Sequence, residues 1–110
     1  MVKGRLVDEL NQEELSSNLT PEQKLTKYVS FVLKYIREAY HPHVIVQSKG
    51  YNKEESVITL KVCDDIIINS CLTVQVSQDL KLNHQMLEFY TPTQLRVLKE
   101  FLSCWNKVVM

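Results

Sequence analysis

Glycine is nearly missing from this 110-residue chain, which has only Gly4 and Gly50. A G-x-x-x-x-G-K-[ST] loop or a G-x-G-x-x-G turn cannot be written with them, so phosphate-cradling loops of those kinds are excluded. An excess of charge of either sign is missing too, because 13 Lys plus Arg balance 13 Asp plus Glu. A protein that coats DNA draws affinity from surplus positive charge, and here any basic character must be local. Long apolar runs are absent: the longest are three residues, such as Ile66-Ile67-Ile68. Nothing approaches the ~20 residues that span a bilayer. No apolar stretch follows Met1-Val2-Lys3-Gly4-Arg5, so the start does not read as a secretory signal. These absences predict a soluble cytoplasmic protein with no membrane partner.

Cysteine is sparse. Cys63, Cys71 and Cys104 are odd in number and lie in apolar-periodic segments. In a reducing compartment such residues act as small hydrophobes, so all three are expected as buried thiols.

What is present is ordinary for one globular domain, at 45% hydrophobic and 24% charged residues. Residues 1–19 carry Asp8, Glu9, Glu13 and Glu14 against Lys3 and Arg5, and Leu6 and Leu10 make a weak stripe before Ser16-Ser17-Asn18. They read as an acidic arm with room for two turns of helix, ahead of a single domain over 20–110. Thr20-Pro21-Glu22-Gln23 is a helix start, since Thr20 can cap, Pro21 suits the first position and Gln23 completes a capping box. Leu25, Tyr28, Val29, Val32, Ile36, Ala39 and Tyr40 then fill one arc about 120° wide at helical spacing. His41-Pro42-His43 ends that helix.

Three strands follow in the pattern. His43–Ser48 is the first, and Lys49–Lys53 reads as its hairpin loop. Val57–Cys63 alternates, with Ile58, Leu60 and Val62 on one face. After a turn at Asp64-Asp65, Ile66–Val76 alternates again, placing Ile66, Ile68, Ser70, Leu72, Val74 and Val76 together. Residues 77–90 read either as a short fourth strand or as an ordered loop. Thr91-Pro92-Thr93-Gln94 repeats the first helix start. Behind it Leu95, Val97, Leu98, Phe101, Leu102, Cys104, Trp105, Val108 and Val109 form an apolar arc about 180° wide, against the ~100° that covering a sheet requires. This helix should therefore meet two things: the sheet, and either the first helix or a second chain. The expected fold is α+β, in the order α-β-β-β-(β)-α, an antiparallel sheet with two helices packed on one face.

Chemical signals are weak. No local signature brings a cysteine or serine against a histidine. His41-Pro42-His43 lacks zinc spacing, so no metal and no cofactor is expected. Glu54-Glu55 and Asp64-Asp65 sit in turns, where adjacent acids ordinarily keep the turn wet. The chain is expected not to be an enzyme. The more distinctive constellation lies on the first helix, where Lys24, Lys27, Phe31, Lys34 and Tyr35 fall outside the core arc. Aromatics interleaved with lysines suit a protein partner with an acidic rim, or single-stranded nucleic acid. They are equally explained if the arm or the last helix covers them. The polar face of the sheet, with Thr59, Lys61, Asn69, Cys71, Thr73 and Gln75, is a second candidate surface. The leading expectation is a non-enzymatic protein-interaction module (a subunit, adaptor or inhibitor) that docks to a partner, with dimerisation through the last helix or the sheet face. The alternative is an RNA- or single-stranded-DNA-binding protein using the first-helix face.

Overall fold

Both predicted helix starts form as reciprocal capping boxes. Thr20 Oγ1 accepts from Gln23 N–H at 3.2 Å while Gln23 Oε1 accepts from Thr20 N–H at 3.0 Å. Thr91 and Gln94 repeat the exchange at 3.2 and 2.9 Å. Each pair satisfies donors that a helix start leaves orphaned. In the computed structural model, which describes residues 19–67 and 69–109, these starts open α1 (Pro21–Tyr40) and α2 (Pro92–Val109). The arm over residues 1–18, with Leu6 and Leu10, lies outside the described residues, as do Ile68 and Met110. His41 closes α1 in the left-handed conformation, φ 46°, and Pro42 prevents the helix from continuing.

Between the helices run β1 (Val44–Asn52), β2 (Val57–Asp64), β3 (Leu72–Val76) and β4 (Leu82–Asn83), an antiparallel meander in the order β1-β2-β3-β4. The expected α+β fold is what forms. Ile58, Leu60, Val62, Leu72, Val74 and Val76 face one side, and Leu25, Val29, Val32 and Ile36 of α1 pack there with Val97, Leu98, Phe101, Cys104, Trp105 and Val108 of α2. The wide apolar arc of α2 is therefore absorbed by the sheet and α1 together. Its extra width needs no second chain.

Two boundaries differ from the sequence reading, and the open one is decided. The first strand does not end at Ser48 but runs to Asn52, because Gly50 takes a β-bulge rather than a turn. The register shifts between Ser48 and Gly50, and Gly50 adopts φ 115°, a backbone that side chains resist. The third strand starts at Leu72, not Ile66. Asp64 Oδ1 accepts from the N–H groups of Ile66 and Ile67 at 2.8 and 3.0 Å, folding the chain into a loop where alternation suggested a strand. Buried Ser70 completes that loop, accepting from Asp64 N–H and donating to Ile67 O, both at 2.8 Å. The fourth strand is two residues long, followed by a 3₁₀ turn at Leu87–Phe89.

The cysteine expectation is corrected for two of the three. Cys63 and Cys71 are directly opposed in the continued β2–β3 register, their Cα atoms 4.1 Å apart, and form a disulfide. Cys104 alone is a thiol, and burial pushes its pKa up.

Candidate functional site

The five residues singled out on the first helix differ in how far they are exposed. Phe31 (36% exposed) and Lys34 stay on the outside of α1. Lys24 and Lys27 are half-buried. Tyr35 turns inward, packs against the core and meets Tyr40 edge-on, with ring centroids 6.3 Å apart at 69°. Tyr40, expected on the core side, is exposed, and Lys107 of α2 lies 5.3 Å from its ring centroid. The aromatics at this end of α1 thus contribute to helix–helix packing.

The polar sheet face is only partly as expected. Thr59, Thr73 and Gln75 border a shallow depression of about 330 Å³ with Asn83, His84 and Gln85. Asn69 is not on this face; it sits in the β2–β3 loop in the left-handed conformation, φ 67°. Cys71 is committed to its disulfide.

The β2–β3 loop is the densest polar arrangement. Arg96 of α2 donates to Asp64 Oδ2 at 3.0 Å, and His43 Nδ1 lies 3.8 Å from Asp65 Oδ2. Glu100 Oε2 accepts from the His43 backbone N–H at 3.2 Å. The N–H groups of Ile67 and Ile66, then the Arg96 charge, hold the Asp64 carboxyl below its ordinary pKa. These groups line a cleft of about 320 Å³ with Ile66, Ile67 and Val97. Arg96 ties the loop to α2, Asp65 sits beside His43, and Glu100 ties α2 to the approach to β1, so the cleft reads as a structural joint. Among the described residues no group of three or more His, Cys, Asp or Glu could hold a metal ion.

Apolar side chains missed by the sequence reading stand out around this joint. Ile66, assigned to the core face, is 82% exposed, and Ile67 is exposed beside it. On the segment entering α2, Met86 and Leu87 are exposed and Phe89 is 67% exposed. The loop borders the start of α2, since Arg96 binds Asp64 at one end of it and Gln94 Nε2 donates to Cys71 O at the other, 2.9 Å, and the 3₁₀ turn at Leu87–Phe89 runs on into that start. The sequence signal was the unbroken Ile66-Ile67-Ile68 run behind two aspartates, which offers no polar face to a solvated strand.

No helix among the described residues is long and apolar enough to cross a membrane. Comparison with protein-family models, with curated proteins and with solved structures finds no match to this chain.

Proposed function

We propose that the chain is a small, non-enzymatic protein-interaction module that docks to a partner protein through the apolar end around the start of α2. The observation that carries this reading is the exposure of Ile66, Ile67, Met86, Leu87 and Phe89 on two segments that meet the start of α2, the loop by hydrogen bonds and the 3₁₀ turn by leading into it. The fold has a closed core and gains nothing by holding these side chains in water. Fully burying one such side chain is worth roughly 1.5–3 kcal/mol, so five partly exposed ones can supply several kcal/mol on a partner. Association itself costs ~4–15 kcal/mol, so this patch serves as the anchor of an interface centred on Phe89 that polar contacts at its rim must complete. The rim is polar and mixed in sign, with Asp65, Glu88 and Arg96. Nucleic acid is the weaker alternative, because one of the two rings offered for base stacking, Tyr35, is engaged with Tyr40 and the core.

The test compares the full chain with an Ile66→Asp, Phe89→Asp variant as bait, after nuclease treatment. Both positions are exposed, so the variant should melt as the parent does. Specific protein partners should be captured by the parent and lost by the variant. Equal capture by both, or loss of all capture with nuclease alone, rules the reading out.

A further inference from the structure

The order β1-β2-β3-β4 leaves β1, nine residues long, with a side on which it pairs with no strand among the described residues. Asp65 N–H donates to His43 O at 3.1 Å. Antiparallel alternation from that bond turns the peptide groups of Ile45 and Gln47 toward β2, and those of Val44, Val46 and Ser48 outward. Natural edges are guarded by lysine, proline or bulges. Here Lys49 and the Ser48/Gly50 bulge guard the second half of β1, and the stretch from Val44 to Ser48 carries no such device. Ile45 on this stretch is 57% exposed.

Alongside the same stretch lies a groove of about 190 Å³ between α1 and β1, with Leu33, Ile36, Pro42, Val46 and Phe101 in its lining. It is smaller than the ~300–1,000 Å³ of small-molecule sites and suits a side chain or two. Arg37 supplies the charge of this lining, which holds no carboxylate, and Arg37 has no acidic partner among the described residues.

We infer that Val44–Ser48 accepts an extended segment of a partner protein as an added β-strand, with an apolar side chain in the groove and a carboxylate facing Arg37. Main-chain hydrogen bonds would supply affinity, and the groove and Arg37 the selectivity. A second copy of this chain fits less well. Pairing two β1 strands about Val46 sets two Arg37 side chains across one seam, with no carboxylate from either groove, and like charges so placed repel. This inference rests on the reading of the chain as a docking module but uses a different surface, so the two fail separately.

The test titrates the isotopically labelled full chain with octapeptides that alternate threonine with valine or leucine, varying one groove-facing position among Glu, Ala and Lys. Backbone amide shifts should appear at Val44, Val46 and Ser48. The Glu peptide should bind about fivefold tighter than the Lys peptide, the scale of a partly exposed ion pair, and Arg37→Glu should invert that order. Val46→Pro removes an outward N–H without touching the β2 ladder, and should abolish binding with folding retained. The inference is overturned if no β1 amide shifts at about 1 mM peptide, or if Glu and Lys peptides bind equally to the parent. It is also overturned if the unliganded chain is a dimer with these amides protected, which would assign the edge to a second copy. Shifts confined to Ile66, Ile67, Met86 and Leu87 would overturn it while leaving the apolar end as the docking centre.

Discussion

Reduction of the Cys63–Cys71 disulfide should destabilise the domain through its unfolded state. The bridge closes a sequence separation of 8 residues. Chain-entropy scaling for a loop of that size gives about 2.5 kcal/mol at 25 °C. The folded loop keeps its other ties, because Val62 and Leu72 remain paired and Ser70 still bonds Asp64 and Ile67. The native state therefore changes little, and the loss falls on the unreduced chain's advantage of a restricted unfolded ensemble. For a domain of this size the unfolding midpoint should drop by roughly 10–20 °C, at ~4–8 °C per kcal/mol. Buried Trp105 provides a fluorescence probe of the transition, followed with and without reductant. Thiol titration in denaturant supplies the control: one reactive thiol, Cys104, before reduction and three after it. A Cys63→Ala, Cys71→Ala variant should melt with the reduced protein. Three thiols in the unreduced protein would show that the bridge is not formed. One thiol with an unchanged midpoint would refute the entropic reasoning.

Gly50→Ala should cost about 1–3 kcal/mol in denaturant unfolding through backbone strain alone, since φ is 115° and no atom lies within 4 Å of an added Cβ. Trp105→Phe should cost about 1–3 kcal/mol, because the indole N–H that donates to Leu80 O at 2.9 Å is lost while a ring is kept. It should also disturb the turn at Leu80, held at φ 64°, visible as amide shifts at Leu80 and Lys81. The depressed pKa of Asp64 makes its contribution full above the ordinary carboxylate value of 3.8 and lost as pH falls through its lower folded value. The Ile66 and Ile67 amide resonances should accordingly move only below pH 3.8, and Asp64→Asn should abolish that movement. Native Cys104 should resist alkylation at pH 7 and react only on unfolding, because it is buried with a raised pKa.

The elements most legible in the sequence were those whose local chemistry and burial agree. Thr20–Gln23 and Thr91–Gln94 announce helix starts whatever follows, and the arcs behind them match the faces that pack on the sheet. Ile58, Leu60 and Val62 alternate cleanly, and their strand forms as expected. Illegible were the features decided by how separate segments meet in register and packing. Gly50 was read as a turn because a bulge needs the same positive φ. Tyr35 fell outside the core arc by its helical angle, yet it packs against the core and Tyr40. The disulfide depended on two strands coming into a register that three cysteines alone do not specify.

The sharpest conflict between pattern and structure lies at Ile66 and Ile67, and its physics bears on function. Continuing the strand pattern through Ile66 would have set it with Leu72 and Val74 on the core face. Instead Asp64 captures both amides, Ser70 is buried to close the loop, and Arg96 pins the carboxylate that does the capturing. Several polar contacts thus cooperate to hold an isoleucine in water, where its burial would have been worth roughly 1.5–3 kcal/mol. A fold selected for stability alone has no use for that arrangement. Local rules broken by a well-supported structure mark places shaped by something other than the fold. The same end of the molecule carries Phe89, displayed just ahead of the second capping box. The coincidence of an enforced loop, an exposed aromatic and a helix start at one end of the domain is what the proposed docking role rests on.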